Sequence, residues 1–73
     1  MATVQAMAWD VARAAFRAGF DAYQGAGPKA RCPFDLPGDK RIGVWVAGKD
    51  AARRRQPLDR AWRAFRAREE AVV

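Results

Sequence analysis

The sequence predicts an all-α fold, a helix-loop-helix core followed by a third helix, in one small domain that spans residues 1–73. Three observations support this prediction. Apolar residues recur every three or four positions in three segments of the chain, as they do on one face of a helix. Glycine and proline interrupt that spacing between the segments. No segment shows the alternation of apolar and polar residues that is typical of a β-strand.

The first helix is predicted over residues 3–24. Its apolar face should enter the core, and this face carries Trp9, Ala12, Phe16, Phe20 and Tyr23. Beside it runs a strip of smaller residues that a second helix could approach closely: Val4, Ala8, Val11, Ala15, Ala18 and Ala22. Gly19 costs about 1 kcal/mol relative to alanine inside a helix, so we expect something to pack against its backbone. The Gly-Ala-Gly-Pro sequence at 25–28 ends the helix.

A proline-rich connector follows and contains Cys32, the only cysteine of the chain. Pro33 and Pro37 fix their own φ and favour extended backbone at the residue before each of them. Because the chain has neither histidine nor a second thiol, Cys32 has no partner for an intramolecular disulfide and no companion ligands for zinc. We interpret Cys32 as a small apolar residue that packs where the connector crosses between helices.

The second helix is predicted over residues 39–55, and the third occupies the segment 56–73. The inward positions of the second helix are Ile42, Trp45, Gly48 and Ala52, and Asp39 lies near its N-terminus, where the helix dipole favours a carboxylate. Pro57 suits the first turn of the third helix. The apolar face of that helix consists of Leu58, Ala61, Trp62, Phe65 and Val72.

The residue inventory argues against an enzyme. The chain has no histidine, serine or asparagine, and its only threonine is Thr3, so most arrangements of a nucleophile and a base cannot form. Residues 25–30 contain glycines and a lysine but lack the spacing of a phosphate-binding loop. We therefore expect no catalytic residues, metal, cofactor or small-molecule substrate. One enzymatic alternative stays open, a small modifying enzyme that acts through Cys32 or carboxylates.

The charge is strongly asymmetric. The chain has 14 basic and 8 acidic residues, a net charge of +6, and twelve of the basic residues lie between 29 and 68, against four aspartates. This distribution predicts a polyanionic partner, with nucleic acid as the first candidate. The predicted phosphate contacts are Lys29, Arg31, Lys40, Arg41, Lys49, Arg53, Arg54, Arg55, Arg60 and Arg63. We expect the aromatic residues to pack in the core, with Trp62 the best candidate for stacking on a base.

The N-terminal segment has no basic start before its apolar run, and Asp10 interrupts that run early. This argues against a signal peptide or a membrane span, so we expect a soluble, cytoplasmic protein without membrane contact. The basic third helix could instead lie on an anionic membrane through its apolar face. The same face is needed to cover the first helix.

One spaced pattern extends over about residues 12–54. It consists of Gly19, Phe20 and Ala22, then Cys32-Pro33-Phe34, then Arg41, Trp45 and Gly48. This pattern resembles the ribosome modulation factor family of short basic proteins. The resemblance implies two helices joined by the Cys-Pro-Phe connector. It also implies binding to RNA of the small ribosomal subunit, with ribosome hibernation and pairing as a stress response in stationary phase. Lys49 stands where the family often has a second tryptophan, and residues 56–73 lie outside the pattern.

The leading hypothesis is a non-enzymatic modulator of translation that binds ribosomal RNA and blocks a functional RNA surface. A second hypothesis is a protein–protein interaction module or inhibitor, of the type carried by phages or mobile elements. Such a module would bind an acidic or nucleic-acid-associated partner and could be a homodimer. A third hypothesis is a small antibiotic-modifying protein, since relatives of the same family have been described in that way.

Overall fold

The computed structural model describes residues 7–72, with the side chains of residues 7–71. It contains three α-helices, α1 (Trp9–Ala26), α2 (Arg41–Arg53) and α3 (Leu58–Val72), and one turn of 3₁₀-helix follows α1 at Gly27–Lys29. No strand occurs within the described range. The predicted all-α fold, with a helix-loop-helix core and an additional C-terminal helix, is confirmed.

The helix boundaries differ from the predicted ones by a few residues. The predicted start of the first helix, with Val4, lies outside the described residues, and α1 begins at Trp9. Its end is set by Gly27, whose φ of 66° and ψ of −146° form a combination that glycine adopts readily. The second helix is shorter than predicted at both ends. The sequence also predicts that the third helix turns Val72 inward, but the side chain of Val72 lies outside the described residues.

Two glycines form the contact between α1 and α2. A Cβ atom on Gly19 would overlap the carbonyl oxygen of Trp45 and would lie 2.8 Å from its carbonyl carbon. A Cβ atom on Gly48 would overlap the carbonyl oxygen of Phe16 in the same way, again 2.8 Å from the carbonyl carbon. The two helices therefore touch backbone to backbone. Phe16 of α1 meets Gly48 of α2, and Gly19 meets Trp45, so the two helices run antiparallel.

The α1–α2 hairpin has a core of mostly small side chains, and α3 closes it with aromatic ones. The buried residues of the hairpin cluster are Ala12, Ala15, Phe16, Phe20, Val44, Ala51 and Ala52. The ring of Trp62 packs edge-on against Phe16, with centroids 5.5 Å apart, and against Trp9, at 6.1 Å. Phe65 lies 5.3 Å from Phe16. Such aromatic pairs add to the stabilisation that burial provides.

Trp62 is the one aromatic residue for which the sequence suggested a different role. Its side chain is only 8% exposed, because it forms the centre of the contact between α3 and α1. Trp62, the best candidate for an exception to core packing, therefore packs in the core with the other aromatic residues of its cluster. Arg60 and Arg63, on either side of it in the sequence, are exposed. Among residues 7–72, no helix has the combination of length and apolar character needed to cross a bilayer.

We predict opposite effects for alanine at two glycines. Gly48→Ala should lower the free energy of unfolding by about 3 kcal/mol, because the new methyl group meets backbone atoms of Phe16 that cannot rotate away. Gly25→Ala should raise it by up to about 1 kcal/mol, because this helical position has open space within 4 Å and alanine is the better helix former. Urea unfolding followed by circular dichroism measures both. Equal effects of the two substitutions would contradict the glycine contact.

Candidate nucleic-acid interface

Three of the predicted phosphate contacts lie in or beside the connector between α1 and α2. Lys29, Arg31 and Lys40 are exposed. Within residues 7–72 none of them donates a side-chain hydrogen bond or forms an ion pair. Their charges are therefore available to an anionic partner. Among the predicted residues, these three fit the expectation most simply.

Lys49 has an internal role. Its Nζ donates hydrogen bonds to the carbonyl oxygens of Ala30, at 2.9 Å, and Pro28, at 3.2 Å. The same ammonium group lies 5.6 Å from the centre of the Trp45 ring. A lysine of α2 thus holds the start of the connector against the helix, one residue after the glycine contact at Gly48. Its charge is used inside the protein, although the side chain stays partly accessible.

Arg41 is also held by neighbours. Its Nη2 donates to Asp39 Oδ2 at 2.7 Å and its Nε donates to Oδ1 at 3.1 Å, a two-point contact with the carboxylate. The same Oδ1 accepts the backbone N–H of Arg41 at 2.9 Å, which caps the first turn of α2. The guanidinium lies 4.2 Å above the ring of Phe34. These hydrogen bonds lower the pKa of Asp39 and raise the pKa of Arg41.

Four arginines gather at the C-terminal end of α2 and the facing side of α3, and we call this group the basic end: Arg53, Arg54, Arg55 and Arg68. Asp50 lies among them. Its carboxylate accepts from Arg53 Nη2 at 2.7 Å and lies 3.0 Å from Arg54 Nε. The hydrogen bond from Arg53, followed by the charges of Arg54, Arg53 and Arg68, lowers the pKa of Asp50, while desolvation opposes this shift. The pKa of Arg53 is raised by the same hydrogen bond.

The basic end has a cavity of about 260 Å³. Arg54 and Arg68 line it together with Asp50, Gln56 and apolar residues of all three helices. The four arginine charges exceed the single aspartate charge, so this end of the molecule remains strongly positive. Contacts with the Asp50 carboxylate orient the guanidinium groups of Arg53 and Arg54, which reduces the entropy lost when they contact another anion.

Arg55 lies two residues after the end of α2 and has a backbone conformation that usually belongs to glycine. Its φ is 60°, and it is the only residue other than glycine with a positive φ in the described part of the chain. Its N–H donates to the carbonyl of Ala52 at 2.9 Å, and the N–H of Gln56 donates to Ala51 at 3.0 Å. This is the hydrogen-bond pattern of a Schellman motif, in which glycine is the preferred residue at this position. The sequence therefore places a positive charge where glycine would be more stable.

The structure does not bring Arg60 and Arg63 into the cavity of the basic end. Both are exposed on α3, and Arg63 Nε donates a long hydrogen bond of 3.4 Å to the carbonyl of Asp59. Asp59 itself lies 3.9 Å from Arg13 of α1. These two arginines could extend a positive surface along α3, but they belong to a separate group.

Arg68 was missed by the sequence reasoning. It lines the cavity of the basic end and acts on Asp50 through its charge. The sequence could have indicated this role through the spacing of Arg68, which lies seven residues after Ala61 and therefore at the edge of the buried face of α3. That signal becomes informative only when the partner of this edge is known, and the partner is α2.

The residues of the family-like pattern have mainly structural roles in the described part of the chain. Gly19, Gly48, Phe20 and Trp45 are buried, Ala22 and Phe34 are half-buried, and Pro33 is exposed. Cys32 is a free, half-buried cysteine. Across residues 7–72 there is no group of three or more Cys, Asp or Glu side chains that could hold a metal ion.

Comparison of the chain with models of protein families, with curated proteins and with solved structures gave no match. The resemblance to ribosome modulation factor therefore stays an interpretation of the sequence pattern. The geometry of the charged groups is the independent observation on which a function can be argued.

We predict that Lys49 stabilises the fold, whereas Lys40, another predicted phosphate contact, does not. Lys49→Met keeps the aliphatic stem but removes hydrogen bonds to two carbonyls, so it should lower the free energy of unfolding by about 1–2 kcal/mol. Lys40→Met, an exposed position without described partners, should change it by less than about 0.5 kcal/mol. Chemical unfolding of both variants tests this. Equal stability of the two variants would exclude the tethering role.

We also predict an acid-dependent loss of stability. Folding lowers the pKa of Asp39 and Asp50, so their charged forms stabilise the native state. This contribution is present above the unfolded pKa, which is about 4, and is lost as the pH falls through the lower folded values. Asp39→Asn should reduce stability at pH 7 and make the acid-induced loss shallower. Urea midpoints between about pH 2.5 and 7 measure this, and Asp35→Asn, at an exposed position, should leave the profile unchanged.

Proposed function

We propose that the protein is a non-enzymatic RNA-binding modulator that acts in the cytoplasm. It binds structured RNA through phosphate contacts and covers a functional RNA surface. The resemblance to ribosome modulation factor points to the RNA of the small ribosomal subunit as the target. Binding would therefore reduce translation without any chemical step.

The basic end is the observation that carries this proposal. Arg53, Arg54 and Arg68 act on the single carboxylate of Asp50, and Arg55 occupies a backbone position at which glycine would be more stable. A charged side chain at an unfavourable φ is consistent with a role in binding. Arginine is also the side chain best suited to two-point contacts with phosphate oxygens.

A second group of charges supports the same reading. The exposed side chains Lys29, Arg31 and Lys40 belong to the connector region, which Lys49 holds against α2. Long-range attraction between these groups and RNA would guide the approach of the protein, and the contacts at the basic end would then fix its position. The helical scaffold would occupy the space in front of the bound RNA.

We predict that Arg55→Gly makes the protein more stable and weakens RNA binding. Glycine adopts a positive φ without the steric strain that a side chain causes, so the free energy of unfolding should rise by about 1 kcal/mol. Loss of one phosphate contact should lower the affinity for a single-stranded RNA several-fold. It should also reduce the slope of log affinity against log salt by about 0.7.

Fluorescence anisotropy with a labelled RNA strand, at salt concentrations from about 50 to 200 mM, measures this slope. The wild-type affinity should fall roughly 50-fold over that range if about four phosphates are contacted. The matched control is Arg17→Gln, which removes the same charge from an ion pair with Asp21 on α1 and should leave the slope unchanged. A wild-type affinity that does not depend on salt would contradict the proposal.

Ribosome association has its own test. Tagged protein from growing and from starved cells is separated on sucrose gradients, and the expected result is comigration with the small subunit or with whole ribosomes. Protein that stays at the top of the gradient under both conditions would exclude a ribosomal target. RNA binding measured with purified strands would still stand.

A protein partner is the second candidate, and exposed apolar side chains favour it. Leu36 in the connector is 68% exposed, Val46 on α2 is 50% exposed and Val11 on α1 is 43% exposed. Capture of one defined protein that survives nuclease treatment would support this function. Loss of all captured material on nuclease treatment would support the RNA function.

A further inference from the structure

We propose that a cavity between α1 and the connector binds an unpaired guanine base. This inference rests on the proposed RNA-binding function and names the part of the RNA that would be read. The cavity measures about 370 Å³ and is lined by Asp10, Val11, Ala14, Ala15, Phe34 and Arg41. Its volume falls within the range of small-ligand sites, roughly 300–1,000 Å³. No residue of the basic end lines it.

One wall of this cavity is a planar stack. The guanidinium carbon of Arg41 lies 4.2 Å from the centre of the Phe34 ring. The carboxylate of Asp39 fixes the guanidinium through two hydrogen bonds, at 2.7 and 3.1 Å. Both side chains are only half-buried, so part of the stack remains open to a ligand. Unpaired RNA bases stack on aromatic rings and on guanidinium planes of this kind.

The floor of the cavity is formed by small side chains of α1. Ala15 is buried, while Ala14 is exposed and Val11 is 43% exposed. The sequence suggested that another helix would cover part of this strip. In the structure α2 packs against α1 at Gly19 and Ala15 is buried, whereas Val11 and Ala14 remain exposed beside Phe34 and Arg41. Exposed apolar side chains next to a planar cation suit a nucleobase better than a phosphate group.

Asp10 supplies the selectivity. Its Oδ1 accepts the N–H of Val11 at 3.0 Å, which orients the carboxylate, and the two oxygens still have free lone pairs. A carboxylate can accept hydrogen bonds from N1–H and from the N2 amino group of guanine together. Adenine and cytosine present a ring acceptor beside their amino group, and uracil presents a single donor between two acceptors. The negative charge of Asp10 also disfavours a phosphate in this cavity.

The test uses two RNA strands that differ in a single amino group. One is a short uridine-rich strand with one guanine, and in the other that guanine is replaced by hypoxanthine, the base of inosine, which lacks the N2 amino group. Wild-type protein should bind the guanine strand about tenfold more tightly. Asp10→Asn should remove this preference and weaken binding of the guanine strand.

The sign of the Asp10→Asn effect separates a base contact from simple charge. Removal of a negative charge by itself strengthens binding to RNA. Asp35→Asn makes the same change of charge at an exposed position of the connector. It should therefore raise the affinity for both strands equally and keep the preference for guanine. Phe34→Leu, checked for folding by circular dichroism, should lower the affinity for the guanine strand about tenfold without changing the salt slope.

A nucleoside titration reports on the cavity without phosphate. Guanosine should shift the methyl NMR signals of Ala14 and Ala15 and the ring signals of Phe34 more strongly than inosine does. Equal binding of the two strands by wild-type protein, or no shift of these signals, would overturn the guanine site. A steep salt dependence would then still support the proposed function. Guanosine shifts without any RNA binding would keep the site and contradict the proposed function.

Discussion

The close approach of α1 and α2 is the constraint on which the rest of the structure depends. Gly19 and Gly48 let each helix touch the main chain of the other, so the hairpin is fixed by backbone contact and only then by side chains. This approach brings Lys49 within reach of the carbonyls of Pro28 and Ala30. It also places the first turns of α1 beside Phe34 and Arg41, where the second cavity lies. A hairpin held further apart would have neither the tether nor the cavity in this form.

The aspartates organise the arginines. Asp39 fixes Arg41 against Phe34, and Asp50 orients Arg53 and Arg54 at the end of α2. In a chain with an excess of positive charge, these two carboxylates hold three guanidinium groups in place, whereas Lys29, Arg31 and Lys40 are exposed. The described cations therefore form two classes. Lys29, Arg31 and Lys40 suit long-range attraction, and the oriented guanidinium groups suit contacts of defined geometry.

The three helices and most of the core could be predicted from the sequence, because helical spacing identifies Phe16, Phe20 and Trp45 as inward positions. A packing contact at Gly19 could also be predicted, because glycine destabilises the interior of a helix unless another element packs against its backbone. The partners of the charged residues could not. Spacing along one helix does not tell whether Lys49 faces RNA or the carbonyls of its own connector, nor that Arg68 joins α2. Such facts depend on how helices cross, which local periodicity does not encode.

The tryptophans lie at two different helix contacts, so their fluorescence can report on each contact separately. Trp45 is buried at the α1–α2 contact, outside the main apolar cluster, whereas Trp9 and Trp62 meet at the contact of α1 with α3. Indole emission depends on exposure to water, so the fluorescence of Trp45 reports closure of the hairpin and that of the other pair reports docking of α3. Variants that retain one group or the other would show whether the C-terminal helix leaves the hairpin before the hairpin itself opens. The order of these two events decides whether the molecule is one cooperative unit or a hairpin with a detachable helix.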